Sequence, residues 1–138
     1  MKELVEGQRY YEGIGRRKRA TARVRIYPDA ANGGIFMVNG KEVDDYFNRF
    51  GDKIVLTSPL TDVEMNGKMD VTVLVNGGGV TGQTDAVRLG LARALQKYDE
   101  TLRTELRAKG HLSRDPRIKE RKKPGLKRAR KAPTYTKR

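Results

Sequence analysis

Three glycines carry the one pattern in this chain that could act on a small molecule. Gly77, Gly79 and Gly82 are spaced G-x-G-x-x-G between a strand-like and a helix-like run. N–H groups at a helix start lack internal partners, so such a corner can hold an anion. A dinucleotide site further requires a second parallel strand ending in an acid about 20 residues on. Here Asp99 and Glu100 arrive at the helix end and another helix follows, and no P-loop lysine stands after the glycines. A tight corner that lets RNA or protein approach the backbone explains the stretch better. The rest of the chain is poor in reactive groups: His111 is the only histidine, Ser58 and Ser113 the only serines, and cysteine is absent. Nothing pairs them as nucleophile and base, so no enzyme is expected. Asp44 and Asp45 resemble a carboxylate pair, but adjacent helical positions do not face one another. Disulfides are excluded, a His/Cys metal site is implausible and no cofactor is expected.

Charge is the stronger signal. The chain has 138 residues, enough for one domain, and 30 Lys+Arg against 17 Asp+Glu give it a net charge of +13. Residues 107–138 hold 14 of those bases and two acids, whereas residues 1–106 hold 16 bases and 15 acids. A nearly neutral body with a cationic end suits a polyanion, because phosphate charge commonly dominates nucleic-acid affinity. Six bases lie within ten positions: Arg16, Arg17, Lys18, Arg19, Arg23 and Arg25, with no acid among them. That density argues against an ordinary solvated strand face. The glycine corner (Gly77, Gly78, Gly79) with Gln83 and Arg88 is a second candidate contact. The third is the run Arg114, Arg117, Arg121, Lys122, Lys123, Lys127, Arg128, Arg130 and Lys131. No apolar run reaches membrane-span length and residues 1–11 lack the apolar core of a signal peptide, so a cytoplasmic location without a membrane partner is expected.

These residues need positioning elements. Residues 1–9 read as a polar arm, 10–113 as an α+β body and 114–138 as an extended basic tail. From Tyr10 to Tyr27 the pattern is strand-like, with Ala20, Ala22, Val24 and Ile26 alternating with Thr21, Arg23 and Arg25. Pro28–Gly34 is a turn, Ile35–Val38 a second strand, and Val43, Tyr46, Phe47 and Phe50 mark one face of a short helix. Lys53–Leu60 is ambiguous, with Pro59 as a breaker. Asp70–Val75 is the central strand, with Val71, Val73 and Val75 on one face. A helix resuming near Gly82 carries Val87, Leu91, Ala94, Leu95 and Tyr98 as its apolar stripe, leaving Arg88, Arg93 and Lys97 towards the other side. Leu102 and Leu106 mark another helix, stopped at Gly110, and His111–Ser113 could add a short strand. Beyond Arg114 only Ile118 and Leu126 are large aliphatics, so that segment needs a polyanion to order it.

Three separated motifs resemble one family. Tyr11-Glu12-Gly13-Ile14-Gly15-Arg16-Arg17-Lys18 is similar to the opening of the ninth protein of the small ribosomal subunit. Gly77–Gln83, Ala86 and Gly90 to Arg93-Ala94-Leu95 resemble that family's signature. Arg114–Arg117, Glu120–Lys123 and the ending Lys137-Arg138 are similar to its basic tail, in the bacterial form. Together the motifs cover residues 10–138. The resemblance implies a small sheet packed with helices, as in the second domain of the fifth small-subunit protein, with a left-handed β-α-β crossover. It implies binding to small-subunit ribosomal RNA in the subunit head beside other head proteins, with Arg16–Arg19 and Arg121–Lys123 on the RNA. Lys137 and Arg138 would approach peptidyl-site transfer RNA. The alternative is a basic nucleic-acid-binding protein outside the ribosome, which leaves the glycine signature unexplained. In either case the corner is expected to show no nucleotide affinity. Equilibrium dialysis with NAD or ATP checks this, and specific micromolar binding would overturn it.

Overall fold

The computed structural model describes residues 7–30 and 33–137. Most of the expected arm, two residues of the Pro28–Gly34 turn and Arg138 lie outside the described residues. The first strand, β1 (Tyr11–Arg17), turns back into β2 (Ala20–Tyr27). The single strand-like stretch is therefore a hairpin. Arg17 pairs with Ala20, which leaves Lys18 and Arg19 as a two-residue turn with Lys18 at φ 53. No glycine, asparagine or proline marks this turn, so composition hid it.

The chain continues through β3 (Phe36–Val38), β4 (Lys41–Glu42), α1 (Val43–Tyr46), α2 (Asp52–Asp62), β5 (Asp70–Asn76), α3 (Val80–Tyr98) and α4 (Leu102–Ala108). The five strands form one mixed sheet in the order β1-β2-β5-β3-β4. Only β3 and β5 run parallel, and α1 and α2 supply the crossover between them. On the covered face Ala22, Val24 and Ile26 of β2 and Val71, Val73 and Val75 of β5 are buried, as their period-two spacing requires. Two side chains fix the join between β3 and β5. Asn39 imitates a strand residue, donating Nδ2 to the Val75 carbonyl and accepting from the Val75 N–H, both at 2.9 Å. The buried Asp70 carboxylate accepts from the N–H groups of Gly34 and Ile35 at 2.9 and 3.1 Å.

Three expectations need correction. Helix α1 ends at Tyr46, so Phe47 enters the core while Phe50 is 102% exposed rather than sharing its face. Pro59 lies inside α2 instead of ending a segment. It withholds an N–H from the Val55 carbonyl, and the Ser58 hydroxyl donates to that carbonyl at 2.6 Å in its place. His111–Ser113 forms no strand, since a turn follows Gly110 at φ 78. From residue 113 to 137 there is no helix or strand.

The tightest packing sets α3 directly on β1. A Cβ on Gly13 would fall 2.5 Å from the Ala94 nitrogen, and one on Gly15 would strike the Ala86 carbonyl and the Gly90 nitrogen. One on Gly90 would meet Val24 at 2.8 Å and the Gly15 nitrogen at 3.0 Å. Backbone that close cannot move aside for a methyl group. Gly15→Ala should therefore cost about 3 kcal/mol or more in urea unfolding, at or beyond the usual cost of overpacking. Gly79→Ala, at φ −100 with open space around it, should stay within about 1 kcal/mol.

Candidate nucleic-acid interface

The β1–β2 turn, the corner between β5 and α3 and the start of the C-terminal segment meet at one end of the sheet. Gly77 and Gly78 hold φ 75 and 65, a conformation that L side chains adopt rarely. A Cβ on Gly77 would lie 2.5 Å from the Arg19 carbonyl oxygen, so the corner also presses on the hairpin turn. Gly79 needs neither a positive φ nor close approach. Gln83 braces the corner, donating Nε2 to the Gly77 carbonyl at 3.1 Å. Its Oε1 accepts from the Tyr46 hydroxyl at 3.0 Å. Lys18, Arg19, Gly78, Gly79, Ile118 and Lys119 enclose an open cavity of about 470 Å³. All six residues are exposed. Helix α3 begins here without a side-chain cap, so its first N–H groups add to the positive potential.

The six bases of the hairpin divide into two sets. Arg16, Lys18 and Arg19 are exposed and have no acidic partner among the described residues. The other three are engaged. Arg17 is ion-paired through Nη1 with Asp85 of α3 and through Nη2 with Asp115 at 3.2 Å. Beside it, Arg114 Nε donates to the Arg16 carbonyl at 3.1 Å, so two contacts tie the C-terminal segment to the hairpin. Arg23 and Arg25 flank Glu12, with Nε atoms 3.0 and 2.8 Å from Oε2, and Arg25 also lies over the Tyr10 ring at 4.5 Å.

Arg88 is likewise drawn inward rather than left on the far side of α3. It donates to the Gly110 carbonyl at 3.4 Å and to His111 Nδ1 at 3.3 Å. A guanidinium can only donate, so Nδ1 accepts and His111 Nε2 carries the proton directed at Asp62 Oδ2, 2.5 Å away. His111 is 6% exposed. Desolvation, and then the nearby Arg17 charge, lower the Arg88 pKa from its ordinary value. Arg93 donates to the Ile14 carbonyl at 2.7 Å. Sequence spacing marks these residues as basic but gives no sign of the acids and carbonyls that the fold brings to them.

In the C-terminal segment, Arg117 pairs with Asp115 at 2.8 Å, and Lys123 and Arg130 both pair with Glu120. Hydrogen bonds from the Arg117 side chain and N–H hold the Asp115 carboxyl far below the usual carboxylate range. Arg121, Lys122, Lys127, Arg128 and Lys131 are exposed without acidic partners among the described residues. Lys137 is exposed at the last described position. The described residues contain no cluster of three or more His, Cys, Asp or Glu suited to a metal ion, and none of their helices is long and apolar enough to cross a membrane.

The chain matches the family described as ribosomal protein S9/S16 over residues 15–138. It is 47% identical over 135 residues to proteins called "Small ribosomal subunit protein uS9" in Dehalococcoides mccartyi strains BAV1 and CBDB1. It is 46% identical to the protein of the same name in strain 195. Each comparison spans 98% of this chain and the whole of the relative.

Glu12 offers a test of how the strand arginines are held. Its hydrogen bond from Arg25 is the largest influence on it and, with Arg23, lowers its pKa below 4.5 despite partial burial. A carboxylate with a lowered folded pKa stabilises the fold above its unfolded value, and that stability fades as pH falls through the lowered value. Glu12→Gln should therefore cost about 0.5–1 kcal/mol at neutral pH, in keeping with a partly exposed pair. Urea titrations of the two proteins should converge as the pH falls through the lowered Glu12 value.

Proposed function

The chain belongs to the ribosomal protein S9/S16 family, and on that premise we propose how its basic surface is used. It is a structural component of the small ribosomal subunit, not an enzyme, and it binds ribosomal RNA and other proteins of that subunit. Its relatives are bacterial, and its location is the cytoplasm, with the subunit. The finer reading is that the β1–β2 turn and the β5–α3 corner lie on small-subunit ribosomal RNA in the subunit head. The C-terminal segment then follows the RNA as a tail without helix or strand, and its last residues approach peptidyl-site transfer RNA.

One observation carries this reading. The side chains of Lys18, Arg19 and Lys119 come from separate parts of the chain to one rim, beside bare glycine backbone and an uncapped helix start. Backbone without side chains admits a sugar-phosphate strand closely, and cations on the rim neutralise it. Arg16, exposed beside the turn, extends that surface. Arg17, Gln83 and Arg88 serve it indirectly, by holding the turn, the corner and the base of the segment in place. Arg114, Arg121, Lys122, Lys127, Arg128 and Lys131 carry the contact along the segment, and Lys123 and Arg130 shape it. Such contacts read phosphate rather than base identity.

Two variants separate the parts of the proposal. Replacing Lys18 and Arg19 by Glu should abolish incorporation into reconstituted subunits while leaving the unfolding midpoint nearly unchanged, because both side chains are exposed. Normal incorporation would remove the turn from the interface. Deleting Thr136, Lys137 and Arg138 removes two of the 14 bases in residues 107–138 and should leave assembly nearly intact. Transfer-RNA retention at the peptidyl site should weaken by roughly tenfold, about one charge-assisted bond, and to a similar degree for all transfer RNAs. Filter binding to subunits carrying the truncated protein measures it, and unchanged retention would free the ending from that role.

A further inference from the structure

We propose that Glu120 organises a seat for a folded RNA strand: its carboxylate draws residues 120–131 into a loop whose remaining cations grip neighbouring phosphates. The inference rests on the RNA-binding reading above and concerns how the C-terminal segment achieves it. Glu120 Oε1 accepts from Lys123 Nζ at 2.7 Å, and Oε2 accepts from Arg130 Nε at 2.9 Å. Inside the loop the Leu126 N–H donates to the Lys123 carbonyl at 3.2 Å and the Lys127 N–H to the Lys131 carbonyl at 2.8 Å. Gly125 turns the chain at φ 81, and Leu126 and Ala129 are half-buried. The result is a cavity of about 650 Å³ lined by Lys119, Glu120, Lys122, Lys127, Arg128 and Ala129.

The charge around this cavity points to its occupant. Both oxygens of Glu120 are engaged by Lys123 and Arg130, neither of which lines the space. Lys119, Lys122, Lys127 and Arg128 line it and have no acidic partner among the described residues. Four like charges around one space repel until an anion enters. A lone phosphate answers one or two of them, whereas successive phosphates of a turning strand answer all four. Arginine and lysine meet such oxygens with short charge-assisted bonds.

Glu120 itself opposes RNA as a charge. Its repulsion reaches across roughly 8–10 Å at ordinary ionic strength, far enough to touch the same phosphates. If the segment acts only as a diffuse polycation, removing this acid must strengthen binding. If the loop is what binds, removing it must weaken binding although the net charge rises. The two accounts predict opposite signs.

The experiment compares the full-length wild type, Glu120→Gln and Glu100→Gln, which removes an exposed acid far along the sequence from the loop. Each is titrated over a range of salt with a transcript of small-subunit ribosomal RNA and with polyuridylate. Glu120→Gln should bind the transcript about tenfold more weakly. Its salt slope should flatten by about two, equivalent to three lost phosphates at roughly 0.7 each. On polyuridylate it should bind as well as or better than wild type, and Glu100→Gln should match or exceed wild type on both. Tighter or equal transcript binding by Glu120→Gln with an unchanged or steeper slope would overturn the proposal, as would equal weakening on both probes. Absence of salt-dependent binding by the wild type would instead overturn the RNA-binding reading itself, and this inference with it.

Discussion

The backbone contact between β1 and α3 is the constraint on which the remainder depends. Gly13 and Gly15 on the strand and Gly90 on the helix bring two main chains to a separation that no side chain could permit. Their seating fixes the height of α3 over the sheet, and with it the burial of Val87, Leu91, Ala94 and Leu95 against Val24 and Val73. It also aligns the ends. The Lys18–Arg19 turn at the end of β1 comes level with Gly77 and Gly78 just before α3, which is why the basic turn and the glycine corner share one rim. A larger separation would leave a void, and interiors packed at crystal-like density lose stability for each one.

A second consequence concerns which charges remain available. The exposed side of β1, β2 and β5 carries cross-strand rows, Glu12 beside Arg25 and Thr72, and Ile14 beside Arg23 and Leu74. Glu12 thereby engages both strand arginines, leaving the three side chains with one net positive charge, while Asp85 and Asp115 engage Arg17. The net positive charge available to a polyanion is therefore concentrated at the rim and along the C-terminal segment.

The sequence revealed the parts with regular periods. Strand β5 and helix α3 were legible because Val71–Val75 repeat every second residue and Val87–Leu95 at helical spacing. The hairpin was not, because Arg17-Lys18-Arg19-Ala20 contains no turn-forming residue to separate the two strands. Phe50 misled because periodicity cannot see a helix that stops after one turn. Pro59 misled because the compensating hydroxyl of Ser58 matters only once the helix exists. At the site, the basic clusters and the glycine corner were visible as residue types. Their division into free and engaged cations was not, since Arg17 meets Asp85 across 68 residues and Arg88 meets His111 across 23. Long-range pairing of this kind leaves no local trace.

The strand order carries a consequence for how the protein is made. Strand β5 lies between β2 and β3, yet residues 28–69 must be synthesised before it exists. Until then the β1–β2 hairpin presents Ala22, Val24 and Ile26 with nothing to cover them, and β3 has only the two-residue β4 as a neighbour. A two-stranded ribbon alone is marginal in water. The core closes when β5 and α3 have both emerged, about 70 residues after the first hairpin, so the body folds late and as a unit. The C-terminal segment follows it out of the synthesising machinery. For a protein whose end is strongly cationic, this order has a kinetic benefit: the globular part can settle before most of the charge is free to pull the chain onto nucleic acid.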